Sequence, residues 1–438
     1  MQLQDIFKVI ILGGASLLLA CNSGAKKGDG QDGDPVVDSA SVEYGSSIDP
    51  VEPLATEPQN KYAKVIGWPE GKTPVAKAGF KVVKFAADLN SPRNIYVADN
   101  GDIFVAQART EREGEAEEKK ASRNVSPSKS PNTILLFRDT DGDGTPDEQF
   151  TFLQGLSQPF GMLVLGDYFY VANTDGLVRF PYKAGETTIK AKGEKLVDLP
   201  AGGYNNHWTR NLLASKDGKK IYITVGSGTN VAEQGLDVEK RRADILEVNP
   251  DGTGERIFAA GLRNPVGVAW EPESGKLWTA VNERDELGDE LVPDYITSVK
   301  EGGFYGWPFA YWGKNPDPRL EGQREDLVNE TIVPDYALGA HTASLGLAFS
   351  KGEKFPYGAY IGQHGSWNRS DFVGYKVAFV PFEAGKPKGE VQDFLSGFIA
   401  NKSTNEVYGR PVGVAFAKSG YLLVADDSAN TIWAVLPD

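Results

Sequence analysis

RPVGVAFAKSGYLLVADDSANTIWAVL, residues 410–436, is a phrase with a simple grammar. A proline-bearing turn leads through a small residue, Gly413, into an alternating apolar strand. Ser419 and Gly420 then turn the chain, and a second strand follows. Period-two alternation, the mark of a half-buried strand, is plain over Tyr421–Ala425 and Ile432–Val435. The phrase recurs. Going back along the chain it returns as ASLGLAFSKGEKFPYGAYIGQHG from Ala343, NPVGVAWEPESGKLWTAV from Asn264, WTRNLLASKDGKKIYITVGSG from Trp208, QPFGMLVLGDYFYVANTDGLVRFPY from Gln158 and SPRNIYVADNGDIFVAQ from Ser91. Aligning Asn94, Gly161, Asn211, Gly267, Gly346 and Gly413 gives intervals of 67, 50, 56, 79 and 67 residues, the size of a four-stranded unit with its loops.

The strands are short, end in Gly or Asp-Gly turns, and are rich in Val, Ile, Tyr and Phe, while no segment holds a helical period for long. The reading is all-β, and a six-bladed β-propeller closes such units radially with only short protected edges. A sandwich or a β-solenoid is the alternative; the interval is long for either. Phe80–Ala86 lies outside the first copy and is expected to close the ring by joining Thr431–Leu436. The longest insert between units, around 283–340, is rich in aromatic and charged residues and is expected to build the wall of a site.

The N-terminus reads differently. Lys8 precedes an apolar run, Val9 to Ala20, followed by Cys21. A membrane span needs roughly 20 apolar residues, whereas the apolar core of a signal sequence needs only about 7–15. Leu18-Leu19-Ala20-Cys21 resembles the lipobox of bacterial lipoproteins, so residues 1–20 are expected to be a signal peptide and Cys21 the lipidated residue. An ordinary secretory signal or a weak membrane helix is the alternative. Asn22, rather than Asp, resembles outer-membrane sorting. Cys21 is the only cysteine, which excludes an intramolecular disulfide framework and a cysteine-based zinc site. Residues 21–60 are rich in Gly, Asp, Ser, Pro and Glu and are expected to be a flexible tether, with the propeller over 61–438. Net charge is −14, and no basic stripe appears, so nucleic acid is not expected as a partner. The run Arg109–Lys120 mixes both signs, as solvated loops do.

Three motifs carry chemistry. In Asp139-Thr140-Asp141-Gly142-Asp143-Gly144-Thr145-Pro146-Asp147, oxygen ligands alternate around a glycine-bearing turn, with carboxylates from Asp139, Asp141, Asp143 and Asp147 and the carbonyl of Thr145. That set suits calcium. An EF-hand would require Glu where Phe150 stands, so the stretch is an isolated calcium loop or a strained acidic turn, and in neither case catalytic. Histidine occurs only as His207, His341 and His364. In a propeller the starts of inner strands converge, so His207 and His341 can meet; three unrelated packing histidines, or a three-histidine metal site, are the other possibilities. Finally, Gly261-Leu262-Arg263-Asn264-Pro265 and Gly409-Arg410-Pro411 place an arginine at the mouth of two repeats. Guanidinium is a permanently charged fork suited to carboxylates and quinone oxygens, which suggests an anionic ligand; a surface ion-pair partner is the plainer reading. Fingerprints of dinucleotide binding, phosphate loops, serine esterases and zincins are missing from the sequence.

Five phrases in order, NHWTRNLLASKDGKKIYITVGSGTN, FAAGLRNPVGVAW, VNERDELGDELVPDYITSVKEGGFYGWP, HGSWNRSDFVGYKV and GRPVGVAFAKSGYLLVADD, resemble the sorbosone dehydrogenase branch of the soluble quinoprotein glucose/sorbosone dehydrogenases, over about residues 78–437. The resemblance implies a six-bladed propeller that holds pyrroloquinoline quinone (PQQ) above its channel, with calcium against the quinone. It makes His207 the base that takes the substrate hydroxyl proton and Arg263 the residue that polarises the quinone oxygen. Asn264 becomes a cofactor contact and Arg410 the holder of a PQQ carboxylate. His341 joins the cofactor pocket and is the rival base; Arg369 is the nearest counterpart of the family's cofactor lysine. The Glu283–Glu286 turn, with Arg284, Asp285 and Glu286, falls where backbone carbonyls ligate the calcium, and Asp289 and Glu290 match the acidic pair behind it.

Asn206 replaces the Asp before the histidine in glucose-type members, Arg284-Asp285-Glu286 replaces a Gly-Pro turn, and Val412 replaces a second arginine. These departures weigh against glucose as the substrate and against tight PQQ binding. The implied activity is oxidation of an aldose or a sorbosone-like ketoaldehyde sugar by hydride transfer to PQQ, with an external electron acceptor such as a cytochrome or quinone, at the periplasmic face of the outer membrane. A calcium-dependent lactonase-type hydrolase, or a non-catalytic propeller that binds carbohydrate or a partner, is the alternative.

Overall fold

In the computed structural model of the chain, the described residues are 43–111 and 129–438. Residues 1–20, expected to be a signal peptide, and Cys21, the expected lipidation site, lie outside them, as does most of the mixed-charge run after Glu111. Six antiparallel sheets of four or more strands follow one another along the chain. Their first strands are Pro92–Val97, Gly161–Leu165, Leu212–Ala214, Pro265–Trp270, Ser344–Ser350 and Pro411–Phe416, one for each copy of the repeated phrase. Helix is confined, among the described residues, to Glu325–Glu330 and two single 3₁₀ turns. The protein is all-β, and the arrangement is consistent with a β-propeller.

The recurring glycines explain how the sheets meet. A Cβ at Gly346 would lie 2.1 Å from the carbonyl oxygen of Val412, and one at Gly413 would lie 2.6 Å from that of Arg93. Each marks the place where one first strand runs against the next, so no side chain fits there. In two units asparagine takes that position and uses its amide instead: Asn94 Nδ2 donates to the Phe160 carbonyl at 3.0 Å and Asn211 Nδ2 to that of Val266 at 2.8 Å. All six units contribute to the lining of one narrow space of about 20 Å³. Apolar clusters fill the gaps between successive sheets. Phe104, Phe152, Phe169 and Tyr182 join the first to the second; Trp278, Ile296, Ile361 and Val380 join the fourth to the fifth. Phe85, Leu423 and Ile432 of the sixth sheet pack with Ile103, Val105 and Phe137 of the first. Phe80–Ala86 pairs with Thr431–Pro437, as its sequence position predicted, so the last sheet combines both ends of the domain.

The tether is shorter than composition indicates. Tyr44 and Gly45 pair with Leu338 and Ala337 at the outer edge of the fourth sheet, and Glu43 is buried. Residues 43–60, expected to belong to the tether, thus include a segment paired with the fourth sheet. Composition fails here because this segment makes no core of its own; it borrows hydrogen bonds and apolar seats from the sheets it crosses.

Candidate active-site cleft

The turns entering the first strands, together with the loops joining second to third strands, line a cleft of about 730 Å³. His207 comes from the turn before the third sheet, Arg263 and Asn264 from that before the fourth, His341 from that before the fifth and Arg410 from that before the sixth. All five line the cleft, as do Asp285 and Glu286.

His207 is buried, with Nδ1 at 3.0 Å from the Ser227 carbonyl and 2.9 Å from its hydroxyl. A carbonyl only accepts, and the Ser227 hydroxyl itself donates to the Thr229 carbonyl at 2.7 Å, so Nδ1 carries the proton. Nε2, 3.3 Å from the Asn206 amide nitrogen, is then the acceptor. The Asn206 amide thus supports the tautomer that carries its proton on Nδ1. His341 is the opposite case. Its Nδ1 lies 3.0 Å from the Asp285 carboxylate and its Nε2 2.8 Å from the Gly288 carbonyl, both acceptors. Burial disfavours its charge, but Asp285 and Gly288 together outweigh that and raise its pKa. Both ring nitrogens are committed as donors, which leaves no lone pair to take a proton.

Arg263, 1% exposed, spreads its guanidinium over the carbonyls of Asn230, Asn282 and Glu283 and the side chain of Asn230. Burial lowers its pKa, against the pull of Asp285, whose carboxylate is 3.7 Å away. Beside it the buried Asn264 Oδ1 has no hydrogen-bond partner among the described residues. Arg410 donates from Nε to the His364 carbonyl at 2.8 Å and from Nη2 to that of Gly365 at 2.9 Å. Among the described residues no carboxylate forms an ion pair with it.

His364, Arg93 and Asp427 form a neighbouring cluster. His364 Nε2 is 2.8 Å from Asp427, which also binds Arg93. Burial and Arg410 push the His364 pKa down to about 4, so it is neutral. Arg93 lines the cleft and stands in Pro92-Arg93-Asn94, at the mouth of a repeat like Arg263 and Arg410; that placement was its signal in the sequence. Tyr62, Trp208, Asn230, Arg319 and Trp367 also line the cleft, and sequence reading did not single them out.

The expected metal residues divide. Arg284 is fully buried, tied to Glu283 and Asp317 and to the carbonyls of Pro308 and Ala310, so its side chain anchors the long insert. The Glu283 carbonyl accepts from Arg263, and that of Asp285 from Asn230 at 3.1 Å and Arg319 at 3.0 Å. Side-chain donors already occupy these oxygens, so they do not fit a cation as arranged. Glu286 is exposed and Glu290 half-buried. Asp289 accepts from Ser370 and, through its carbonyl, from Arg369; Arg369 is paired with the buried Glu43 and is not part of the cleft lining.

The 139–147 turn joins the third and fourth strands of the first sheet, away from the cleft lining. Carboxylate oxygens of Asp139, Asp141 and Asp147 lie within 4.8 Å of one another, a donor set that fits a hard cation. Asp143 and Thr145 are not in that group: Asp143 Oδ1 accepts from the Thr145 amide at 2.7 Å.

A ring-like set of antiparallel sheets, with one basic cleft over the starts of its inner strands, defines the class of protein. The chain belongs to the TrAA12-like family, whose profile matches residues 74–298 and 316–438. It is 29% identical over 301 residues to an uncharacterized protein of Borreliella burgdorferi, covering 65% of this chain and 77% of that one. It is 22% identical over 425 residues to a pyrroloquinoline quinone-dependent pyranose dehydrogenase of Coprinopsis cinerea, covering 82% of this chain but only 54% of that enzyme. Among solved structures it resembles the calcium structure of a family AA12 carbohydrate-active enzyme of Trichoderma reesei, with a TM-score of 0.69 at 19% identity over 88% of this chain and all of the other. At that identity the likeness concerns the fold.

Proposed function

We propose that the protein is a PQQ-dependent sugar dehydrogenase built on a closed propeller of six blades, one per sheet. The blade count is supported by the unbroken cycle of first-strand contacts and by the apolar cluster joining the sixth sheet to the first. The observation that carries the function is the convergence of His207, Arg263, Asn264 and Arg410, from three units, on one cleft. Arg410, with no ion-pair partner among the described residues, fits a carboxylate of an anionic cofactor, and the Asn264 oxygen is left to accept from an N–H or O–H of a ligand. The Coprinopsis relative, PQQ-dependent by name, supports the same choice.

Bound in the cleft, PQQ supplies the two-electron acceptor for the substrate's hydride. Arg410 would hold a carboxylate of the cofactor. Arg263 would place positive charge beside the quinone oxygen, and Asn264 would fix its orientation. His207 Nε2 would take the hydroxyl proton of the sugar while Ser227 holds the ring in the productive tautomer. The substrate thus loses a hydride and a proton and leaves as the oxidised sugar, an aldose or sorbosone-like ketoaldehyde having entered. An external acceptor, such as a cytochrome or a quinone, then takes the electrons. Asp139, Asp141 and Asp147 would hold calcium, and after removal of the signal peptide the lipid on Cys21 would anchor the domain at the periplasmic face of the outer membrane.

The test is direct. Purified protein mixed with calcium and PQQ should take up the quinone stoichiometrically, and its absorbance should bleach when sugar is added. Absence of uptake, together with hydrolysis of sugar lactones, would favour a hydrolase on the same fold.

A further inference from the structure

The segment that precedes the first repeat is stitched onto two loops of the cleft. Glu43, 2% exposed, accepts from the Ala340 amide at 2.7 Å and from Arg369 at 3.1 Å. The Asp289 amide donates to Thr56 Oγ1 at 2.7 Å. Asn60 Oδ1 accepts from Asn368 Nδ2 at 2.9 Å, and Asn368 Oδ1 accepts from the Glu286 amide at 2.9 Å. The Lys61 amide donates to the Trp367 carbonyl at 2.7 Å. These bonds bring the ring of Tyr62 parallel to that of Trp367, with centroids 5.9 Å apart and planes 6° from parallel. Both rings are half-buried and both line the cleft.

The two parallel rings form an aromatic surface in the cleft wall, and Tyr204, Asn206 and Asn230 supply polar groups to the same lining. Anionic groups are drawn to Arg263 and Arg410. A neutral polyol has other needs: its C–H face packs on the electron-rich face of an aromatic ring, and its hydroxyl edge bonds to amides and phenols.

We propose that Tyr62, paired with Trp367, is the stacking platform for the pyranose ring of the substrate, so that a specificity-determining residue is delivered by the chain segment leading into the domain. This rests on the sugar-oxidising reading above. Position favours Tyr62 as the adjustable half of the pair, because it lies outside every repeat, while Trp367 is fixed in the fifth unit.

The experiment uses the full-length protein and the variants Tyr62→Ala, Tyr62→Leu and Tyr62→Phe. Tyr62→Ala and Tyr62→Leu should raise KM for aldoses about tenfold with kcat within about twofold, while Tyr62→Phe stays near wild type. PQQ affinity, read separately from quinone absorbance, should not change. An unaltered KM in folded Tyr62→Leu overturns the proposal, and so does a loss of PQQ affinity that Tyr62→Phe restores, which would give the rings to the cofactor. Sugar binding to PQQ-free protein, followed by calorimetry, keeps this distinct from the oxidase reading. If wild type binds sugar but never oxidises it, a weakened Tyr62→Leu supports the platform even as the dehydrogenase assignment fails; if wild type binds no sugar, the platform fails.

Discussion

The acidic turn at 139–147 and the cleft are both rich in charge, yet they are built in opposite ways. Nine consecutive residues make the turn, and its carboxylates are answered mostly by neighbours: Asp139 accepts from the Gly142 and Gly144 amides at 2.8 and 3.0 Å, besides the Tyr421 hydroxyl at 2.6 Å, and Asp147 from the Thr140 amide at 2.7 Å. Thr140 holds the Asp147 pKa below its ordinary value. The cleft instead gathers residues from 62 to 410, and among the described residues it leaves Arg410 without an ion-pair partner and Asn264 Oδ1 without a donor. Polar groups closed by their own turn support the fold. Groups brought together from distant units and left open are there for a ligand, since an uncompensated polar group otherwise costs stability.

Substitution should separate the two kinds of site, and within the cleft it should separate chemistry from binding. His207→Ala is expected to lower turnover about 10²–10⁴-fold while PQQ uptake is retained, because only the proton acceptor is lost. Arg410→Ala should do the reverse, weakening PQQ affinity about 10–100-fold, the value of a hydrogen bond to a charged group, with most of kcat kept at saturating cofactor. Single-turnover oxidation and quinone titration measure the two effects. If His207→Ala oxidises sugar within about threefold of wild type while His341→Ala abolishes turnover, well outside the range for a lost base, the roles must be exchanged.

How far the sequence could be read follows from the same contrast. Repeated phrases located all six first strands and the closure by Phe80–Ala86, because alternation and turn chemistry are local properties. His207, Arg263 and Arg410 were legible because each stands in the few residues that lead into a first strand, and Asn264 through the family resemblance. Arg93 stands just inside such a strand. Tyr62, Asn230 and Trp367 were not legible, since what makes them part of the site is a fold-back of segments with no repeat phase. The same blindness put residues 43–60 in the tether. Metal expectations at Glu283–Glu286 missed the donors that reach those carbonyls, Asn230 and Arg319, which come from 55 and 34 residues away in the chain.

Asp244 tests what happens to a charge that belongs to neither region. It opens the third strand of the third sheet, is 5% exposed, and burial raises its pKa to about 8. In the unfolded chain it ionises near pH 4. Its folded pKa is therefore raised, so its contribution to stability is fully present below about pH 4 and is lost as pH rises towards 8. Asp244→Asn should remove that loss, raising Tm by roughly 2–5 °C at pH 8 and changing it little at pH 4. Thermal melts of both proteins across this range check it; an equal shift at both pH values would mean that packing, not charge, is responsible.

The acidic turn gives the finest discrimination, because calcium there should affect stability alone. A bound ion stabilises only the folded state, by mass action, so wild type should melt about 1–3 °C higher in excess calcium than in chelator. Asp141 is one of the two exposed members of the three-carboxylate group and makes one of its weaker internal bonds, accepting from the Asp143 amide at 3.2 Å. Removing it should therefore spare the turn but not the ion. Asp141→Ala is expected to lose the calcium-dependent rise in Tm while sugar oxidation by the folded protein stays at wild-type level. Because the turn lies outside the cleft lining, the calcium dependence of melting and the turnover rate are independent readings of the two regions. A fall in turnover with melting unchanged would place the turn in contact with the catalytic cleft and end the division drawn between them.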